Sequence, residues 1–232
     1  MTRDDEKRPG SPFDAVEWPD KLKARVVTPG PAPRIHGYDA EGDLALHYRF
    51  SDTILLALTG ELPDEETGRA FEIALHFLAP SSVAEPPAHC GVLARLCGAR
   101  TSGVLGVVAL AAAEQSQFLV EGHADLIAWF ERPEGGPPAR HLAGDEAGLE
   151  AVSRLRAALF RTGFACPALD AGLSREAALL AVLHACGLRT SERMQAAIVI
   201  SRLPCAFAEA SSVSPTAFKE YPMKLPPFEY EE

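Results

Sequence analysis

The chain predicts an all-helical fold, and three features of its patterning carry that expectation. Apolar residues recur at three- and four-residue spacing through residues 51–80. There Ile54, Leu55 and Leu58, then Phe71, Ala74, Leu75 and Leu78, each fall on one side of a helix. The spacing returns at Leu149, Val152, Leu155 and Leu159. Few stretches show the two-residue alternation of a half-buried strand, so the pattern yields about eight helices and no internal repeat.

The elements follow in order. Residues 1–33 are rich in charge, Pro and Gly without periodicity and read as a flexible arm, with Phe13 and Trp18 as anchors. Residues 34–232 read as one helical domain. The stretch 34–50 is short and turn-rich, with Gly37 and Gly42 permitting tight geometry. A helical hairpin follows: Ser51 reads as a cap, Gly60 as a stop, and Pro63 and Asp64 open the second helix, with Glu65 and Glu66 in its first turn. The three prolines of PSSVAEPPAH break helix, and residues 90–99 resume it. A Gly- and Ala-rich helix runs from Thr101 or Ser102 to Ala113, suited to a central place or a dimer interface. Residues 122–131 form another, and 133–144 a loop. Asp145 caps the next helix and Gly163 ends it. Ser174 caps a helix ending at Gly187, and Ser191 caps a long one over 192–210, which Pro204 should kink. The tail is extended, its aromatics spaced to pack along a groove.

Composition narrows the function. The 232 residues are 47% hydrophobic and 23% charged, ordinary for a folded protein. A net charge of −10 argues against nucleic acid and against an anionic membrane as partners. No apolar run reaches the roughly 18–20 residues of a membrane span, since 104–113 stops at Glu114, and the N-terminus lacks a signal-peptide core. Five cysteines without CxxC spacing (Cys90, Cys97, Cys166, Cys186 and Cys205) point to reduced thiols in a cytoplasmic protein rather than a metal site or disulfide scaffold. No GxSxG motif supports a serine hydrolase.

Two segments go further. GYDAEGDL followed by FSDTILLALTGELPDEE resembles the citrate synthase family: a Gly-Tyr segment (Gly37-Tyr38), an acidic-Leu pair (Asp43-Leu44) and a helix ending in Gly60-Glu61-Leu62-Pro63. The stretch from Glu85 through Ala111 is similar to the citryl-CoA lyase branch, and 166–210 to the family's Asp turn, short helix and long helix. The resemblance spans roughly residues 34–230 by motif matching. It implies an all-α homodimer with a large helical domain, here with residues 133–165 standing for a reduced small domain. It also implies chemistry that joins or cleaves a carbon–carbon bond between an acyl-CoA and a keto acid, as acyltransferase or lyase. A coenzyme A thioester and a small carboxylic acid would be its substrates, with no tightly bound cofactor and no metal.

The roles carry over unevenly. Asp170 in ALDAG matches the family's catalytic Asp, which takes a proton from the thioester's methyl group; read from the residues alone it is a turn or capping Asp. His123 is a shifted counterpart of the His that stabilises the enolate, or a surface His at a helix start. His141, beside Arg140, stands near the second His, or is a solvated loop residue. His89 reads equally as a packing residue, and His184 as a core or groove histidine. For carboxylates the chain offers Arg140, Arg95, Arg100 and Arg202, each otherwise a solvated charge. The residues leave two readings: an enzyme of this kind, or a catalytically degenerate subunit of the same fold that binds or regulates.

Overall fold

The computed structural model describes residue 21 and residues 23–215; most of the expected arm and the tail lie outside the described residues. The chain divides into two units at His47 and Tyr48. In the first, strands β1 (Val27–Thr28), β2 (Arg34–Ile35) and β3 (Tyr38–Asp39) form a small antiparallel sheet in that order. β1 falls inside the stretch read as a loose arm, pairing Val27 with Ile35. Strands of two residues are too short to alternate, so the pattern does not reveal them. The β2–β3 turn places His36 at φ 48° and Gly37 at φ 90°, the positive pair that a two-residue hairpin turn needs. Asp39 then accepts from the backbone N–H groups of Glu41 and Gly42, opening a π-helical turn, Ala40–Leu44, and the single turn α1, Ala45–His47.

The second unit carries α2 (Phe50–Thr59), α3 (Glu65–Leu78), α4 (Pro86–Leu96), α5 (Thr101–Gly122), α6 (Ala124–Glu131), α7 (Glu146–Phe160), α8 (Arg175–Ala185) and α9 (Ser191–Ser211). The hairpin is α2–α3. Gly60 ends α2 at φ 85°, and Asp64 caps α3 by accepting from the Thr67 N–H at 2.8 Å. Ser51 is buried inside α2 instead of capping it; Asp52 bonds back to the Arg49 N–H at 2.9 Å. Asp145 and Ser174 cap α7 and α8 as expected, and Thr190, one residue early, caps α9. α4 begins at Pro86, because a helix's first turn has no N–H bond for proline to break.

α8 is the central helix: every residue from Ala177 to Leu183 is buried, the pattern of a helix apolar all round. Around it Leu55, Phe71, Leu78, Val120, Leu126, Leu155, Leu173, Met194 and Ile198 complete the main core. The expectation of a central Gly- and Ala-rich helix fits α5 only on one side. α5 runs nine residues past Ala113, which corrects the expectation that no apolar segment reaches the length of a membrane span: by length and composition alone it does, and it buries the stripe Val104, Val108, Ala112, Ser116 and Val120. The first two residues of that stripe, Val104 and Val108, meet α4 and α9 in a second cluster with Ala88, Ala206 and Ala210, while Val120 joins the main core.

Two glycines set how closely helices approach. A Cβ on Gly91 of α4 would lie 2.5 Å from Val108 Cγ2 and 2.8 Å from Ala210 Cβ, so three helices meet over its missing side chain. A Cβ on Gly68 of α3 would lie 2.2 Å from Oδ1 of the buried Asp52. Gly91→Ala and Gly68→Ala should each lose about 1–3 kcal/mol to overpacking. Gly103→Ala, whose Cβ meets only Ala99 Cβ at 3.6 Å, should cost nothing. Thermal unfolding of the three variants checks the contrast: equal melting temperatures would refute the close crossing.

Candidate functional site

His123 sits where α5 ends and α6 begins, at φ −114° and ψ 18°, outside either helix's regular ladder. Its Nδ1 lies 2.7 Å from the Leu119 carbonyl oxygen. A carbonyl only accepts, so Nδ1 carries a proton and Nε2 is the lone-pair nitrogen of the neutral ring. The loop expected over 133–144 contains a 3-10 turn, Ala139–His141, which brings His141 against His123. The rings stack with centroids 4.6 Å apart and planes 29° apart. His141 is only 4% exposed, which corrects its reading as a solvated loop residue.

Asp125, in the first turn of α6, holds this arrangement. Its Oδ1 accepts from Arg140 Nη2 at 2.6 Å and lies 2.8 Å from His141 Nε2. The Arg140 bond, and after it the His141 bond, keep the Asp125 carboxyl far below the usual carboxylate range. Arg140 Nε also lies 3.1 Å from His141 Nε2. One nitrogen cannot serve both: the carboxylate needs a proton there and the guanidinium a lone pair. The shorter, charge-assisted contact favours Nε2–H donating to Asp125.

His123 faces a cavity of about 450 Å³ that also takes in Gln115 of α5, Arg175 of α8, Arg202 of α9 and Glu85 at the start of α4. Arg202 is largely buried. Its Nη1 donates to Gln115 Oε1 at 2.5 Å and lies 3.6 Å from Glu85 Oε2, to which Gln115 Nε2 donates at 3.2 Å. Its Nε is buried without a hydrogen-bond partner among the described residues. Burial lowers Arg202's proton affinity; Glu85 opposes the shift and the charge of Arg175 adds to it. Arg175 is tethered at one end, Nη2 donating to the Phe77 carbonyl at 2.7 Å. The cavity therefore presents two guanidinium groups and an imidazole, beside the carboxylates of Glu85 and Glu176.

The other expected residues lie elsewhere. Asp170, on a 3-10 turn, Pro167–Ala171, is ion-paired with Arg156 and 70% exposed. It lines a separate cavity of about 260 Å³ between that turn and α7, with Phe160, Phe164 and Cys166 and, among the described residues, no histidine. Backbone pairing does tie its turn to the histidine loop: Ser174 N–H donates to the His141 carbonyl at 2.8 Å and Ala143 N–H to the Gly172 carbonyl at 2.9 Å. Arg100 precedes α5 and Arg95 ends α4, at the opposite end of a helix of 22 residues from His123. At 1.5 Å per residue that is roughly 33 Å, too far to share a small ligand with it. Arg140 is committed to Asp125. His184 bonds Glu131 at 2.7 Å. Of the predicted site residues, His123 and Arg202 share the cleft and His141 backs it. Arg175, Gln115, Glu85 and Asp125 were not foreseen. Arg175 carried a signal: a cation in a helix's first turn opposes the helix dipole, a local cost that calls for another use.

No protein-family model matches the chain, and no curated protein matches it. Solved structures do. The citryl-CoA lyase of Hydrogenobacter thermophilus superposes with a TM-score of 0.67 at 18% identity, over 91% of this chain and 94% of that one. The ATP citrate lyase of Methanothrix soehngenii, in complex with citrate and coenzyme A, gives 0.52 at 12% identity, over 91% of this chain and 43% of that one. A variant of the Methanosaeta concilii ATP citrate lyase, in complex with (3S)-citryl-CoA, gives 0.57 at 12% identity and the same coverage. With its helices in this order around α8, the chain has a citrate synthase-like helical fold of the citryl-CoA lyase kind.

Proposed function

We propose that the chain makes or breaks a carbon–carbon bond between an acyl-CoA and a keto acid, in the cleft of His123, Arg175 and Arg202. One observation carries the reading: a histidine with a lone-pair nitrogen and two guanidinium groups line one cavity of about 450 Å³. The fold neighbours, named as citryl-CoA lyase and as ATP citrate lyase holding citrate or citryl-CoA, give the substrate class. A citryl-type thioester, brought in as substrate, would place its free carboxylates on Arg175 and Arg202. His123 Nε2 would take the proton of the tertiary hydroxyl while the carbon–carbon bond breaks toward the thioester side, leaving a ketone and a thioester enolate. The same proton, passed to the enolate carbon, completes an acyl-CoA and a keto acid; synthesis is the reverse. His141, stacked on His123 and pinned by Asp125, is a positioning residue.

Incubation with (3S)-citryl-CoA, following acyl-CoA release, tests this. Wild type should cleave it, and His123→Gln and Arg175→Gln should each lose on the order of 100-fold or more. Asp170→Asn should stay within about threefold, because only a group touching the reacting atoms contributes that much. Loss confined to Asp170→Asn would overturn the cleft as the reacting site. A second reading, a degenerate subunit that binds without turnover, is favoured by the exposed, arginine-paired position of Asp170. Saturable citrate binding without cleavage would select it.

The cluster behind the cleft has its own pH signature. The Asp125 carboxyl has its proton affinity depressed on folding, so its contribution is full above the ordinary carboxylate value, about 3.9, and declines as pH falls below it. The melting-temperature gap between wild type and Asp125→Asn should be constant from about pH 8 to 5 and narrow below about pH 4. A gap that is flat down to pH 3 would mean the carboxylate charge contributes nothing.

We also infer a homodimer formed across α5. Leu105, Val107 and Leu110 are exposed on it, 41%, 39% and 64%, and a Cβ on Gly106 would meet nothing within 4 Å. An apolar face bordered by a single carboxylate, Glu114, with room for close backbone approach, suits a two-fold pair. Sedimentation should give a dimer for wild type and a folded monomer for Leu110→Glu; a wild-type monomer at tens of micromolar, roughly the weak end of specific association, would dismiss the interface.

A further inference from the structure

The histidine cleft holds a carboxylate of its own beside its most buried cation. Glu85 stands just before α4, and both of its side-chain oxygens are engaged: Oε1 accepts from the Ser82 N–H at 2.9 Å and Oε2 from Gln115 Nε2 at 3.2 Å. Pro86 and Pro87 follow it, and its backbone is extended at φ −85° and ψ 145°, the region that a residue before proline favours. The main chain there is stiff, so the carboxylate moves only by rotation of its side chain, which is 34% exposed. Toward Arg202 it is placed for charge and not for a hydrogen bond. Oε2 lies 3.6 Å from Nη1, beyond bonding range, while Nη1 donates to Gln115 Oε1 at 2.5 Å. The Arg202 side chain is 14% exposed, and a cation that far out of water needs a counter-charge whether or not a ligand is present. Glu85 supplies it. Arg175 differs: its Nη2 donates to the neutral Phe77 carbonyl at 2.7 Å, and no carboxylate among the described residues is ion-paired with it.

The two arginines therefore receive an anion unequally. A ligand's first carboxylate meets Arg175 without a rival, whereas a second one, aimed at Arg202, replaces a resident charge. We propose that Glu85 is the placeholder counter-ion of Arg202 and the specificity-determining residue of the cleft, displaced by a ligand's second carboxylate and indifferent to its first. This rests on the reading of the cleft as a carboxylate site given above. Displacement is feasible because a ligand carboxylate brings the short, charge-assisted hydrogen bonds that Glu85 does not make to Arg202, while the Glu85 side chain turns into water. It is not free, because the bonds from Ser82 and Gln115 are given up. Glu176, exposed at the start of α8, is screened by solvent and weighs less. The consequence is selection by charge count: two guanidinium groups give a dicarboxylate little advantage over a monocarboxylate as long as Glu85 is ionised and in place.

L-malate and L-lactate, 2-hydroxy acids that differ by one carboxylate, test this on the full chain by calorimetry. Wild type should bind malate at most about threefold more tightly than lactate, because the bonds gained by the second carboxylate are offset by those Glu85 loses. Glu85→Gln keeps an acceptor for the Ser82 N–H and removes the charge. In that variant malate should tighten about tenfold, the worth of a charge-assisted hydrogen bond, and lactate should stay within about twofold. Adding Arg202→Gln should erase the gain, so that the double variant binds malate no more tightly than Arg202→Gln alone. A wild-type preference for malate beyond that limit, malate affinity unchanged or weakened in Glu85→Gln, or equal tightening of both acids would overturn the role of Glu85 and leave the cleft standing as a carboxylate site. No binding of either acid by wild type or by Glu85→Gln would also overturn it, while citryl-CoA cleavage decides the reading of the site separately.

Discussion

Burial of α8 on every side is the constraint from which the rest follows. A helix enclosed by α2, α3, α6, α7 and α9 cannot rotate without dragging apolar side chains into water, at about 25 cal/mol for each Å² exposed. Its two ends are therefore fixed in direction as well as position. Arg175 at the start enters the cleft beside His123, and His184 near the end lines a separate aromatic cavity with Trp129 and Phe130, roughly 13 Å away along the axis. One buried helix thus serves two chemically unlike cavities, a charged one and an apolar one.

Charge is handled in the same economical way. The protein is acidic overall, yet it places two arginines in one cleft: burial, and after it the charge of Arg175, weakens the hold of Arg202 on its proton, and Glu85 and Glu176 oppose that. Two carboxylates, Glu85 and Glu176, line the same cavity, and Glu85 is ion-paired with Arg202, whose Nε has no hydrogen-bond partner among the described residues. A few ångströms of chain away, Asp125 does the opposite work, gathering Arg140 and His141 onto one oxygen. The two histidines stack between the mixed-charge cleft and the Asp125 cluster.

Much of the scaffold is legible in the sequence because punctuation is local. Gly60, Asp64, Asp145 and Ser174 mark helix ends by chemistry that needs no tertiary partner, and the structure uses each of them. The errors also have physical causes. Pro86 and Pro87 read as helix breakers, but the first turn tolerates them. The apolar run of α5 stops at Glu114 in the sequence, whereas Ser116 and Val120 keep the buried stripe going to the helix end. The site was half legible. His123, His141 and Arg202 stand out as residue types, but their convergence depends on three segments meeting, and nothing local encodes that. For Asp170 the turn was readable and the direction of its carboxylate was not.

The short backbone ladder between residues 141–143 and 172–174 couples regions that side-chain maps keep apart. Because Leu142 bridges to Leu173 and His141 accepts from Ser174, the turn bearing Asp170 cannot shift without pulling on the chain beneath the stacked imidazoles. The carboxylate of Asp170 and the ring of His141, 29 residues apart in sequence, thus hang from opposite sides of one backbone brace.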